Sequence, residues 1–249
     1  MYYATIHQPY FLPWIGYFSK LIYSDYFIVL DDVPYRDWFW QKRAVIKNRN
    51  CVEQKLSLPV GHNHKTPLSE VRLSKAVAMR FLRKMKDTMM QTYSKQPFFK
   101  EEWQEFSPVF TKTTSTESYL VDISIELIRY FMKILDINNV NIEKSSDIVK
   151  GKSFKKPTDR IVYLCEKKKI NKVITGVGGS DNVHDKECLR LNKLCFLKQD
   201  FHAEFDSVCS KYPNVVPEYS IIDALFKNGR EEIKKLLRED AFIPKEDQT

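Results

Sequence analysis

The sequence predicts an α/β fold: a Rossmann-like, mostly parallel sheet flanked by helices, with a helical insertion in the middle of the chain. Three observations predict it. Strand-like, helix-like and strand-like segments follow one another within roughly the first thirty residues, the spacing of a βαβ unit. A later strand signal, NKVIT at 171–175, runs straight into a glycine turn, GVGGSDN. Between these lies a stretch, 75–136, whose apolar spacing is mainly helical. The 249 residues are enough for one large core, so 1–249 reads as a single α/β domain with a loose C-terminal tail from 240.

Each element has its own justification. Residues 2–7, YYATIH, read as a buried strand, and 26–30, YFIVL, as a second. Between them Ile15, Phe18, Leu21 and Ile22 fall at helical spacing. Residues 52–58, VEQKLSL, alternate as a strand does. Residues 75–93 read as a helix rich in Lys and Arg, whereas 97–110 mix Pro, Phe and Trp and fit no pattern. The clearest helix is 117–135: Leu120, Ile123, Leu127, Phe131 and Leu135 make one stripe. Thr116 is its expected N-cap, with Glu117 and Asp122 at the positive end of the dipole. Residues 144–160 are polar without apolar period and read as a loop that is mobile or orders on a ligand. A helix at 159–168 and strands at 171–175 and 194–201 follow. A final helix, or two broken at Asn228–Gly229, spans 218–238.

Composition narrows the function. The net charge of +8 suits anionic partners. The cations come in short runs, such as Lys42–Arg43, Lys155–Lys156 and Lys167–Lys169, not in one arm. That pattern fits solvated helix faces with a phosphate-binding subset, and not a nucleic-acid-binding protein. The five cysteines form no CxxC pair, no apolar run has the length of a membrane span, and MYYATIHQ does not read as a signal peptide. The expectation is a cytoplasmic protein with free thiols and no membrane span.

In open parallel sheets, ligands bind at the carboxyl ends of strands. Three features converge there. His7 and Gln8 end the first strand, Asp31 and Asp32 the second, and Gly176, Gly178 and Gly179 follow the third. His7 titrates near neutrality and suits a general base or a phosphate contact, or else a loop-fixing hydrogen bond. Adjacent aspartates point to opposite faces, so one could reach a metal, hydroxyl or amine, or cap a turn. In DDVPYRDWFWQKRAVIKN, Tyr35, Trp38 and Trp40 stand among Arg36, Lys42 and Arg43, a mixture able to hold a ring and a diphosphate, or a core with surface cations. His62 and His64 in GHNHKT have no second ligand cluster, so a polar turn is preferred to zinc and no metal site is assigned.

IHQPYFLPWIGYFSKL, DYFIVLDDVPYRDWFWQKRAVIKN, ITGVGGSDN and YSIIDALFKNG together resemble the WbqC-like family, over residues 3–230. His7, Gln8, Pro9, Pro13, Trp14, Gly16, Tyr17 and Phe18 fit its first block; Asp31, Asp32, Tyr35, Trp40 and Arg43 fit its second. The family's tyrosine after the GG pair is absent; Asn182 and His184 stand nearby. PYFLPWIGYF also resembles the layout of a nucleotidyltransferase loop, but Trp14 and Tyr17 replace its histidines, so their chemistry is not implied.

The resemblance implies a role in bacterial surface-polysaccharide or O-antigen biosynthesis. The enzyme it implies is a transferase placing an acyl or aminoacyl group on the amine of a nucleotide-linked amino sugar. The donor would be a thioester of coenzyme A or of an acidic acyl carrier protein. His7, Asp31 and Asp32 are the expected catalytic residues. Gln8, Tyr10, Trp14, Tyr17, Tyr35, Trp40, Arg43, Gly178 and Gly179 are expected to bind substrate, with Gln8 or the glycine amides facing the oxyanion. Two alternatives stand beside this: an ATP- and magnesium-dependent ligase or nucleotidyltransferase-like enzyme, and a non-catalytic sugar-nucleotide-binding protein.

Overall fold

The structure, a computed structural model, describes residues 2–36, 40–50, 52–61, 66–116, 119–177 and 184–246. Strand β1 (Tyr2–His7), helix α1 (Ile15–Ile22) and strand β2 (Tyr26–Val29) form the βαβ unit expected from the sequence. The chain then leaves the sheet through two short antiparallel pairs, β3 (Arg43–Lys47) with β4 (Glu53–Ser57) and β5 (Val60–Gly61) with β6 (Arg72–Leu73). Three helices follow: α2 (Lys75–Tyr93), α3 (Phe99–Thr116) and α4 (Leu120–Ile134). The chain returns through β7 (Asn141–Lys144), α5 (Ser145–Val149), α6 (Pro157–Lys168), β8 (Ile170–Gly176), α7 (Lys186–Leu191) and β9 (Cys195–Gln199). Helices α8 (Phe201–Asp206) and α9 (Ile221–Leu237) and strand β10 (Lys245–Glu246) complete it.

The main sheet has the order β10-β9-β8-β1-β2-β7. All its pairs are parallel except β10 with β9. From β1 the chain steps outward to β2 and β7, then crosses back to β8 and β9 on the other side. The direction of travel therefore reverses between β1 and β8, where open α/β sheets form their ligand crevice.

Two cores sandwich the sheet. On one face Phe27 and Val29 pack with Phe18 of α1, Phe131 of α4, Phe106 of α3 and Leu225 of α9, so the helical insertion shares one continuous core with the sheet. On the other face Ala4, Ile28 and Val173 meet Ile161, Leu164 and Cys165 of α6. Among the described residues no helix is long and apolar enough to cross a membrane.

Four sequence expectations need correction. Residues 97–110 fit no pattern, yet α3 runs through them. Its buried side carries Phe99, Phe106 and Phe110, but also Glu102, Thr113 and Thr114, and Pro108 lies inside the helix, which blurs the apolar period. Thr116 closes α3 instead of capping α4, whose N-cap position is Tyr119. The supposed loop 144–160 holds the end of β7, all of α5 and the start of α6; the group that satisfies the start of α5 comes from β2's end, out of local view. The tail expected to be loose is docked up to Glu246: β10 pairs with β9, and Phe242 is fully buried. The expected break in the last helix is real, at Gly229 (φ 75°), where a side chain would strike the Phe98 ring.

Candidate functional site

His7, Gly176 and Gln199 end β1, β8 and β9. Thr5 lies opposite Ile174, which carries His7 opposite Gly176, and Gly176 lies opposite Gln199. Aligned residues of parallel neighbours share a face. This row faces α1, because His7 packs edge-on to Tyr17 and the Gln199 amide donates to Ser19 Oγ at 2.9 Å. A Cβ placed on Gly176 would meet nothing within 4 Å, so among the described residues no side chain fills the row between His7 and Gln199.

The 8–14 loop is crowded because two distant segments hold its backbone. The Phe11 amide donates to the Trp40 carbonyl, Ser220 Oγ to the Leu12 carbonyl, and the Ile221 amide to the Pro13 carbonyl. Phe11 and Leu12 are core residues, and Leu12 adopts a left-handed φ of 47°. Trp14 folds back over Gly16, stacks on His202 at 5.3 Å and meets Phe201 edge-on. A Cβ on Gly16 would lie 2.1 Å from Trp14 Cζ3 and 2.7 Å from Phe201 Cγ. Glycine is required there by close approach, and Trp14 joins the α8 packing.

The carbonyl of Gln8 receives two donors: Tyr17 Oη at 2.9 Å and His7 Nδ1 at 2.8 Å. A carbonyl only accepts, so Nδ1 carries the proton and Nε2 keeps its lone pair. Tyr10 lies edge-on to the same imidazole at 4.8 Å. Burial, reinforced by the charge of Lys20 and offset in part by the Gln8 carbonyl, pushes His7 down to about 3. The imidazole is therefore neutral at every ordinary pH. Burial pushes Tyr10 up to about 12 and Tyr17 higher still, so both stay phenols.

Gln8 is itself oriented. The Arg36 amide donates to Gln41 Oε1 at 2.9 Å, so the Nε2 end of Gln41 faces Gln8 and donates to Gln8 Oε1 at 2.9 Å. That chain settles both amide orientations and leaves Gln8 Nε2 as a donor. Gln41 is fully buried.

Asp31 and Asp32 sit one strand over. Asp31 is 1% exposed. Its Oδ1 accepts from the Ser146 amide at 2.9 Å and its Oδ2 from Ser146 Oγ at 2.7 Å, so it caps the start of α5 from outside. Ser145 Oγ lies within hydrogen-bond distance of both aspartates. Asp32 also pairs with Arg160 at 3.1 Å. Both carboxylates are thus engaged in tying β2's end to α5 and α6.

The remaining expected site residues scatter. Tyr35 is fully buried in the large core, its amide donating to Thr66. Trp40 is 42% exposed. Arg43 opens β3 opposite Ser57, half-buried. Gly178 and Gly179, like Trp38, His62 and His64, lie outside the described residues. The structure thus brings together His7, Gln8, Tyr10 and Tyr17, and sets Trp14, Tyr35 and the aspartates apart from them. It adds Lys20, Gln41 and Gln199, which carry no motif signal: a lysine in a helix and two glutamines are ordinary in sequence. Among the described residues no cluster of three or more His, Cys, Asp or Glu side chains could hold a metal ion.

The chain is 23% identical over 245 residues to the uncharacterized protein Rv1507c of Mycobacterium tuberculosis, covering 92% of this chain and 94% of that protein. No solved structure matches it. The profile of the WbqC-like protein family matches residues 8–235, which takes in Gln8, Tyr10, Tyr17, Lys20, Gln41 and Gln199. The chain belongs to the WbqC-like protein family.

Proposed function

We propose that this chain is a transferase of bacterial surface-glycan biosynthesis that moves an acyl or aminoacyl group onto the amine of a nucleotide-linked amino sugar. The single observation that carries the reading is His7: a neutral, Nδ1-protonated imidazole with its Nε2 lone pair at the strand-end switch point. Acyl transfer to an amine needs a base for the amine's proton and a donor for the carbonyl oxygen. Nε2 takes the proton as the nitrogen attacks the thioester carbonyl and a tetrahedral oxyanion forms. Gln8 Nε2, held by Gln41, donates to that oxyanion. Collapse expels the thiolate, which recovers the proton from His7 and leaves as the thiol of coenzyme A or of a carrier protein. Asp31 and Asp32 serve as positioning residues through α5 and α6.

The test is a thermal-shift screen of nucleotide-linked amino sugars, acyl thioesters and ATP–magnesium, followed by mass spectrometry of the product. A nucleotide-linked amino sugar is expected to raise Tm by mass action. His7→Gln should keep that shift and lose turnover. Gln41→Leu should lower kcat more than it changes KM. Stabilisation by ATP–magnesium alone would replace this reading with a ligase, and His7→Gln at full turnover would remove the base.

A further inference from the structure

We propose that Lys20 is the anion anchor of this crevice: a phosphate or carboxylate of the ligand pairs with its ammonium beside the row formed by His7, Gly176 and Gln199. The inference rests on reading the strand-end crevice as the ligand site, but not on acyl transfer.

Lys20, in α1, is 6% exposed. A charged lysine this deep normally has a carboxylate partner. Lys20 has none among the described residues; its ammonium lies 5.7 Å from the Tyr17 ring centroid. By contrast, half-buried Lys227 pairs with buried Asp223 at 2.7 Å. The side chain springs from the turn after Tyr17 and leans back toward the helix start, as long helical side chains do. That direction leads to the carboxyl ends of β1 and β8. The Tyr17 ring lies between them, 5.7 Å from the Lys20 ammonium and 5.2 Å from the His7 ring, and the lysine's charge lowers the imidazole's basicity.

A second, independent group points the same way. Gln199 is 2% exposed, and its Nε2 is spent on Ser19 Oγ and the Phe242 carbonyl. Its Oε1 is buried with no partner. Ser19, which holds Gln199, precedes Lys20 in α1, and the Lys20 ammonium lies 5.7 Å from the Tyr17 ring that packs on His7. Buried polar groups are almost always satisfied; Gln199 Oε1 is not, and the Lys20 ammonium has no carboxylate partner among the described residues. A ligand carrying an anion and an adjacent O–H or N–H would satisfy both. Burial alone holds Lys20 at about 8, so its amine is mostly charged at neutral pH and ready for an anion.

The pairing has a consequence for His7. Among the described residues Tyr10 and Tyr17 pack edge-on to its ring, and Lys20 is the charged group that acts on it. An anion seated on Lys20 offsets the lysine's share of the push that holds His7 unprotonated, the larger share being burial. The base thus becomes more basic when the ligand arrives.

The experiment titrates wild type and Lys20→Met with pyrophosphate and, separately, acetate. It reads Tm and the long-range ¹H–¹⁵N resonances of the His7 ring. We expect one anion to raise wild-type Tm by several degrees at large excess over Kd and to move His7 Nε2, with neither change in Lys20→Met. A response to pyrophosphate assigns a phosphate source; a response to acetate assigns a carboxylate. Equal responses in both proteins overturn the anchor and leave the crevice reading standing. No response of wild type to either anion also overturns it, and the nucleotide-sugar screen then judges the crevice separately. Should Lys20→Met fail to fold, the wild-type His7 resonance decides alone: movement with anion supports the anchor, and none overturns it.

Discussion

The α3–α9 junction and the β1–β8 crevice bury comparable polar groups and treat them in opposite ways. At the junction every charge is answered. Glu102, 3% exposed, takes a two-pronged contact from Arg230 at 2.9 Å through each oxygen, and Arg230 also reaches Glu105 at 3.0 Å. Tyr93 donates to Asp223 at 2.6 Å, and Lys227 takes that carboxylate's other oxygen. In the crevice Gln199 Oε1 is buried and unanswered, and Lys20, 6% exposed, has no carboxylate partner among the described residues. A network closed on itself holds helices together; a network left open waits for something from outside. Asp31, fully engaged with Ser145 and Ser146, belongs to the first kind although the motif placed it with the second.

Substitution separates the two kinds. The largest loss is expected from Arg230→Ala, which strands buried Glu102: about 3–5 kcal/mol by urea unfolding. Asp31→Ala should follow, at about 2–3 kcal/mol, because it unmakes charge-assisted bonds at the start of α5. A defect confined to catalysis, with stability intact, would instead move Asp31 into the chemistry. Gly16→Ala should cost about 1–3 kcal/mol through displaced Trp14 and Phe201. Lys20→Met should be the exception, neutral or stabilising without ligand, since it removes an uncompensated charge. A loss as large as that of Arg230→Ala would erase the distinction between the two regions.

The pH dependence sharpens the same contrast. Lys20 titrates near 8 in the fold and near 10.5 when unfolded. Between those values the unfolded chain holds the proton and the folded one does not, so stability rises with pH. Above about 10 the raised phenols of Tyr10 and Tyr17 oppose that rise. Denaturant midpoints from pH 8 to 10 should show the slope in wild type and a flatter one in Lys20→Met. His7 contributes at the acid end: unfolded it protonates near 6.5, folded only near 3. Its share of stability is therefore lost as pH falls through that window, and His7→Gln should lose less there.

The sheet's parallel heart was legible because β1, β2 and β8 carry their own apolar signal, and the short α1 its own helical spacing. The chemistry at β1's end was half legible. IHQPY names His7, Gln8 and Tyr10, but not which nitrogen of His7 is free. That follows from a carbonyl one residue away, and the orientation of Gln8 follows from Gln41, thirty-three residues on. Ser19, the residue before Lys20, and Gln199 are 180 residues apart and meet only through register and helix packing. No local pattern reports that an amine lacks a partner, since a missing contact exists only in three dimensions. Trp14 shows the converse: a conspicuous residue whose place is set by a glycine two positions on and by α8.

β1 sits in the middle of the sheet, yet its neighbour β8 is made some 160 residues later. During synthesis the strand bearing His7 leaves the ribosome early with β2 on one side and nothing on the other. At ordinary elongation rates that edge stays bare for roughly ten to thirty seconds. An exposed parallel edge rich in Ile and Tyr is a template for wrong pairing. Overproduction that leaves that edge unshielded until residues 170–176 arrive should yield inclusion bodies before it yields folded protein.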